Sequence, residues 1–345
     1  MIDLKVFGRK PKNEKRINYS TSPNFKDGIF VNIEPTSLNP NNVSMIKLLK
    51  DFNDRPKLVK PDRELPFVKT DLLNMNVDKL SVVWFGHSSY LIRSQGLTIL
   101  VDPVLNGNAS PVNFFGKAFA GADYYNAEHL PNIDLLIITH DHFDHLDYKT
   151  ISKIHPRVKN IVTPLGVGSH LEYWNVDRNK ITELDWWNGC HLDSGIEITA
   201  TPARHFSGRT IKRATSLWAS FVLRLHGHKI FIGGDSGYDE QFKIIGNKFN
   251  NFDIAFLECG QYGVNWPLIH MSPEETVRAA MDLKADILFP VHWGKFVLST
   301  HVWNEPIERL SVQAGIEKQN FVSPMIGEVY EVGSEQYAKN WWRLN

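Results

Sequence analysis

The chain has 345 residues, 42% hydrophobic and 22% charged, enough apolar material for one large domain or two modest ones. Lys+Arg and Asp+Glu balance at 38 each, so no global field draws the protein to nucleic acid. Two cysteines, Cys190 and Cys259, are too few for a secreted disulfide scaffold. No apolar run is long enough to span a bilayer, and the N-terminus MIDLKVFGRKPKNEKR lacks an apolar signal-peptide core, so the expectation is a soluble cytoplasmic protein. Peripheral membrane contact and homodimerisation are left open.

Residues 1–75 are rich in Asn, Pro and Lys and weakly periodic, with one short helical stretch near Val43–Phe52. They are expected to form an N-terminal extension packed on a main domain of residues 76–345. The first basic residues (Lys5, Arg9, Lys10, Lys12, Lys15, Arg16) read as a solvated tail. From Leu80 onward, β-branched and aromatic runs predict strands at Ser81–Phe85, Tyr90–Arg93, Leu97–Val101, Ile133–Thr139, Ile196–Thr201, Phe221–Leu225, Lys229–Ile232, Ile254–Glu258 and Ile287–Val291. Helices are predicted at Tyr148–Ile154, Tyr238–Phe249 and Pro273–Leu283. The last has Ser272 as N-cap, Pro273 in its first turn, and Glu274 and Glu275 suited to the helix dipole.

One stretch repeats. Ser89-Tyr-Leu-Ile-Arg-x-x-Gly96-x-x-Ile-Leu-Val101 parallels Ser220-Phe-Val-Leu-Arg-x-x-Gly227-x-x-Ile-Phe-Ile232, and an aspartate soon follows each, Asp102 or Asp235. Both read as hairpins with glycine at the turn, which predicts a two-sheet sandwich built from similar halves.

The strongest chemical signal is His140-Asp141-His142-Phe143-Asp144-His145, directly after the strand Ile133–Thr139. So many polar groups cannot be core filling, because each would need a partner. His140 and His142 lie two apart at a strand end and can reach the same side. Asp144 and His145 follow a turn and reach a second position, so one hexapeptide can serve two adjacent ions. Imidazole and carboxylate suit Zn²⁺, and also Mn²⁺ or Fe²⁺. Further ligand-type residues stand just past other strands: His205 after Ile196–Thr201, Asp235 after Lys229–Ile232, and His292 after Ile287–Val291. Glycines beside Asp235 and His292 let backbone approach a crowded centre.

This pattern resembles the metallo-β-lactamase superfamily, whose signature is H-x-H-x-D-H followed by distant His, Asp and His ligands. The resemblance implies an α+β fold, the four-layer αββα sandwich. It also implies a metal pair: His140, His142 and His205 on one ion, Asp144, His145 and His292 on the other, and Asp235 bridging. A closer resemblance, from about Ser22 onward, is to the N-acyl-phosphatidylethanolamine-hydrolysing phospholipase D family. It is carried by Trp84-Phe-Gly-His-Ser-Ser89, Asp102-Pro103, Ser110-Pro111, His145-Leu-Asp-Tyr148, Glu183-Leu-Asp-Trp-Trp187, Gly234-Asp-Ser-Gly-Tyr238, His270-Met-Ser-Pro-Glu-Glu275, His292-Trp-Gly-Lys-Phe296 and Asn304-Glu-Pro306. Ascorbate-6-phosphate lactonases share several of these motifs.

The resemblance implies a hydrolase, and phospholipase D-like phosphodiesterase chemistry on lipid-like or small organic substrates is the expectation. Two ions share a water, lower its pKa towards about 7, and the hydroxide attacks phosphorus. Asp144 is expected to orient that hydroxide while ligating. His270 matches a histidine near the family's substrate site and is expected to meet the phosphate or protonate the leaving group, the alternative being a cap on the helix at Pro273. The animal members carry a polar residue where this chain has Ile269. His87, Asp102 and Asp147 are expected behind the ligands, and Tyr148 and Tyr262 at the substrate. The aromatic loop Pro111–Tyr125 reads either as a lip for acyl chains or as packing over the extension.

Other readings carry their own marks. A sugar-phosphate lactonase calls for a mouth lined by Arg and Lys, with Arg204, Arg209 and Lys295 as candidates. Flavodiiron proteins place a carboxylate where His142 stands. A nuclease calls for a basic stripe, and a non-catalytic binder for lost ligands; this sequence shows neither.

Overall fold

The two hairpins read from the sequence organise the molecule. The computed structural model describes residues 3–12, 19–75, 78–112, 115–335, 337 and 339–343. After a short ribbon, β1 (Phe25–Lys26) and β2 (Ile29–Phe30), and a helix, α1 (Met45–Asn53), the chain enters its first large sheet. This runs through β3 (Ser81–Trp84), β4 (Tyr90–Ser94), β5 (Leu97–Val101), β6 (Ile133–Ile137), β7 (Val158–Pro164) and β8 (Ile181–Leu184) in spatial order. The second sheet runs through β9 (Gly189–His191), β10 (Glu197–Thr201), β11 (Ser220–Leu225), β12 (His228–Ile232), β13 (Ile254–Glu258) and β14 (Leu288–Val291). The last strand, β15 (Val329–Glu331), returns to pair with β3.

The sheets share one plan. In each, a hairpin (β4–β5 or β11–β12) is antiparallel, and its second strand then pairs parallel with the next. The hairpin registers match: Tyr90 faces Val101 and Ser94 faces Leu97, as Phe221 faces Ile232 and Leu225 faces His228. Both turns have two residues at positive φ, Gln95–Gly96 (44° and 84°) and His226–Gly227 (49° and 85°). That is the type I′ geometry whose twist matches paired strands, and it explains the repeated glycine.

The strands of β4 and β13 are buried throughout, so both faces of each sheet are covered. One face meets the other sheet. Tyr90 of β4 stacks on Phe256 of β13 at 4.2 Å and 11° within a single apolar core. The other face meets helices. α3 (Gly168–Tyr173) lies by β8, and α5 (Pro273–Leu283) lies on β13 between α4 (Gln241–Phe249) and α6 (Glu305–Glu317). The expected four-layer α+β sandwich is therefore the architecture. Among the described residues no helix is long and apolar enough to cross a membrane.

The sequence left β7, β8, α3 and α6 unread, and the N-terminal residues behave differently from a tail. Val6 is buried and its carbonyl accepts from Arg209; Lys5 O accepts from Trp174 Nε1; Arg9 lies over the Tyr173 ring. Packing and these carbonyl bonds outweigh the local positive charge. Lys15 and Arg16 lie outside the described residues. In the aromatic loop, Tyr125 Oη donates to Val68 O and Tyr124 stacks on Phe67, while Phe115 is exposed. From Gly116 to Tyr125 the loop thus packs over residues 65–70. Asn113 and Phe114 lie outside the described residues.

Candidate metal centre

The ligand-type residues all leave strand ends at one edge of the sandwich. The hexapeptide follows β6 and closes a tight turn, with His145 and Leu146 N–H both donating to His142 O. Asp141 faces away from the centre. Its carboxylate accepts from Gly208 N, Ser216 Oγ and His170 Nε2, and so ties the turn to the loop after His205. Asp235 follows β12 across two glycines. Gly234 has φ +61, and a Cβ there would stand 2.9 Å from Thr139 Cβ, so the backbone passes where a side chain cannot. His292 follows β14 at φ 67 and His87 follows β3 at φ 55. These two strained residues hold each other: His292 N donates to His87 O, and His87 N to Trp293 O.

The donor atoms form two sets that meet at Asp235. In the first, His140 Nε2 and His205 Nε2 lie 3.0 and 3.2 Å from His142 Nδ1. Asp235 Oδ2 lies 3.8 and 3.7 Å from His140 and His205 Nε2. A tetrahedral ion with bonds of about 2.0–2.1 Å holds donors about 3.3–3.4 Å apart, close to this spacing. In the second, Asp235 Oδ1 lies 3.1 Å from His145 Nε2 and 3.2 Å from His292 Nδ1, and Asp144 Oδ2 lies 3.7 Å from His145 Nε2. Among the described residues, His140, His142, His205 and Asp235 form one group that could hold a metal ion and His87, Asp144, His145 and His292 another, while a third, Asp235, Glu258, His270 and His292, overlaps both sets. Two atoms of the second set, His145 Nε2 and Asp235 Oδ1, are buried without a hydrogen-bond partner. Such orphaned atoms are costly unless a cation joins them, so the residues fit a bound metal.

Electrostatics point the same way. Burial, and next the neighbouring imidazoles, push His140 well below the usual histidine range; burial also depresses His142, His205 and His292. Neutral rings offer lone pairs. Burial opposes charge on His145 too, but Asp235, Asp144 and Asp102 outweigh it and raise its pKa. Positive charge is favoured where those carboxylates converge.

A further layer fixes the rings. His145 Nδ1 donates to Asp102 Oδ2 at 2.7 Å, and Asp102 also accepts from Thr139 N and Oγ1. His205 Nδ1 donates to Ile269 O at 2.9 Å, so Ile269 serves through its backbone. Ser88 Oγ lies 2.9 Å from His292 Nδ1, and His87 Nε2 lies 3.0 Å from Asp144 Oδ2. On His145 and His205 such bonds select the tautomer and leave Nε2 free, whereas on His292 the Ser88 hydroxyl meets the same Nδ1 that faces Asp235.

His270 belongs to this edge. Its ring stacks on His292 at 5.3 Å, and Nδ1 lies 2.6 Å from Glu258 Oε2. It does not cap the helix at Pro273; Ser272 and Glu275 form a capping box there. Burial works against charge on His270, but Glu258 outweighs it and raises the imidazolium's pKa. Glu258 is fully buried and also accepts from Ser236 N, next to Asp235, and from Met271 N. Sequence reasoning passed over Glu258, although a charged residue ending an apolar strand was the same signal that drew attention to Asp235.

Some expected positions lie elsewhere. Asp147 is a helix cap, accepting from Lys149 N, Thr150 N and Thr150 Oγ1 at the start of α2 (Tyr148–Ile154), and makes no hydrogen bond to a ligand histidine. Its chain position beside the hexapeptide suggested otherwise, but the turn points it back along the helix. Tyr148 packs on Trp174. Tyr262 stacks on His301 and its hydroxyl joins Glu305 and Arg309, so its polar end is already used. The three cations considered for a basic mouth are used internally. Arg209 donates to Val6 O, Asp141 O and Leu146 O; Lys295 to Phe85 O and Val104 O; Arg204 to Pro35 O and Thr36 Oγ1.

Comparison with known proteins agrees with this geometry. Residues 98–293 match the model of the β-lactamase superfamily domain. An uncharacterized protein of Mycobacterium tuberculosis is 37% identical over 94% of this chain and 88% of its own length. An N-acyl-phosphatidylethanolamine-hydrolyzing phospholipase D of Caenorhabditis elegans is 28% identical over 73% of this chain and 76% of its own. The metallo hydrolase Igni18 of Ignicoccus hospitalis superposes with a TM-score of 0.54 at 20% identity, over 73% of this chain and 97% of that one. With the domain match covering more than half its length, the chain belongs to the β-lactamase superfamily as a metal-dependent hydrolase, and within it resembles the N-acyl-phosphatidylethanolamine-hydrolysing phospholipases D.

Proposed function

We propose that the protein is a dinuclear phosphodiesterase of phospholipase D type, acting on lipid-like or small organic phosphodiesters. The observation that carries the two-ion reading is Asp235, whose two oxygens face two separate donor sets. His140, His142 and His205 would hold one ion and Asp144, His145 and His292 the other, with Asp235 between them. Zn²⁺ fits these nitrogen and oxygen donors best. Bound divalent ions would polarise phosphoryl oxygens and supply hydroxide near neutral pH.

The chain's own groups do the rest in this reading. Asp102 holds the ring of His145 and Ile269 O that of His205, and His87 holds Asp144. His270, hydrogen-bonded to Glu258, stands next to His292, where it can meet a phosphate oxygen or deliver a proton to the leaving alkoxide. The phosphodiester class is supported by the named reaction of the C. elegans relative and by the motifs shared with that family. The burial of Arg209 and Lys295 against backbone carbonyls favours this reading over the basic mouth that a sugar-phosphate lactonase calls for. Free Cys190 and Cys259 suit a reducing, cytoplasmic setting.

The test is a substrate panel with protein loaded with Zn²⁺. Hydrolysis of bis(4-nitrophenyl) phosphate and of N-acyl phospholipid vesicles, lost on chelation and regained on adding metal, is expected. Fully metallated protein that leaves both untouched yet opens a sugar-phosphate lactone would contradict the proposal.

A further inference from the structure

The N-terminal segment reaches the metal centre through one side chain. Asn32 turns its carboxamide onto the backbone of His205, 173 positions away: Oδ1 accepts from His205 N at 3.1 Å, and Nδ2 donates to His205 O at 2.8 Å. The same Oδ1 accepts from Trp218 Nε1 at 3.1 Å, which fixes the carboxamide in its plane. His205 lies beyond the end of β10, past Pro202, where no ladder holds the chain. Asn32 therefore does for this one residue what a neighbouring strand would do, satisfying its N–H and C=O together.

The clamp matters because of what surrounds it. Residues Ile29–Leu38 wall a cavity of about 370 Å³ that His205, Phe206 and Trp218 also line. A backbone freed from Asn32 has space to move into. The residue before His205 is tied from the other side, Arg204 N donating to Ser236 Oγ at 2.9 Å and Arg204 O accepting from Gly237 N at 2.9 Å, and Ser207 O accepts from Ala214 N; the backbone N–H and C=O of His205 itself are taken by Asn32. The ring is held at Nδ1 by Ile269 O, with Nε2 facing His142. Backbone clamp and ring bond together aim Nε2 at the point shared with His140 and His142.

We infer that Asn32 is a positioning residue for the metal site made by His140, His142 and His205, so that the N-terminal segment is part of the metal centre. This rests on the two-set reading of the site, and the experiment separates the two. Metal affinity of the purified full chain is measured by chelator competition with Zn²⁺, and the visible spectrum is recorded after Co²⁺ loading. Wild type, Asn32→Ala, Asn32→Asp and, as a control, Thr36→Ala are compared. Thr36 sits in the same segment and bonds Arg204 without touching a ligand.

Asn32→Ala is expected to weaken one class of site roughly tenfold to a hundredfold and shift its cobalt bands, leaving the other class as in wild type. Asn32→Asp keeps the acceptor but sets a carboxylate oxygen against His205 O, and is expected to weaken the same class. Thr36→Ala is expected to match wild type. Wild-type affinity and spectrum in both Asn32 variants would overturn the inference, as would equal weakening of both classes with a matching loss of stability in the metal-free protein. If wild type itself shows a single class, the two-set reading fails, and Asn32 is then judged on that class: weakened supports it, unchanged overturns it.

Discussion

The β4–β5 and β11–β12 hairpins share a turn, a register and a sequence pattern, yet they deliver their aspartates to different depths. Asp102 follows β5 immediately and stays one layer back, accepting from His145 Nδ1 and Thr139. Asp235 is carried two glycines further and stands between the two donor sets. The same scaffold thus supplies a proposed ligand on one side and, on the other, the support of a second proposed ligand, His145. The difference lies in a pair of residues without side chains, one at positive φ against Thr139.

Substitutions can break or sharpen that contrast. The largest effect should come from Asp235→Asn, which removes the negative charge facing both sets; phosphodiester turnover should be abolished and metal content should fall, as read by elemental analysis. His270→Ala should lower the rate roughly 10²–10⁴-fold with metal content intact, because His270 stands beside the seven proposed ligands and outside them. Asp102→Asn, at the matching hairpin, should weaken metal binding or activity only about tenfold to a hundredfold, since it orients His145 without touching the ion. If Asp102→Asn proved as damaging as Asp235→Asn, the distinction between the two aspartates would collapse. Smallest are Gly96→Ala and Gly227→Ala. Both turns have open space at Cβ and positive φ, so each should cost about 1 kcal/mol in thermal unfolding, equally, with activity unchanged.

Much of this was legible because the physics was local. Apolar β-branched runs gave β5 and β13 to the residue and most other strands of both sheets to within one or two. Ser272, Pro273 and Glu275 gave the start of α5, and the hexapeptide with its strand-end partners picked out the residues that now converge. β7 was missed because it carries Lys159, Asn160 and Pro164 among its apolar residues, and α3 because six residues show no period. The harder failures were tertiary. Asp147 sits in the hexapeptide's own neighbourhood but turns to cap α2. Arg209 and Lys295 look like surface cations, yet are buried against backbone carbonyls. Asn32 lies in a stretch without periodicity, and only the folded chain brings it to His205.

In the proposed centre, seven residues hold two ions with Asp235 between them. Elemental analysis of dialysed wild type and Asp235→Asn, each refolded or loaded with excess Zn²⁺, tests it most directly. Two equivalents per chain are expected in wild type and a clear loss in Asp235→Asn. A single equivalent in wild type, or two equivalents retained by Asp235→Asn, would contradict it.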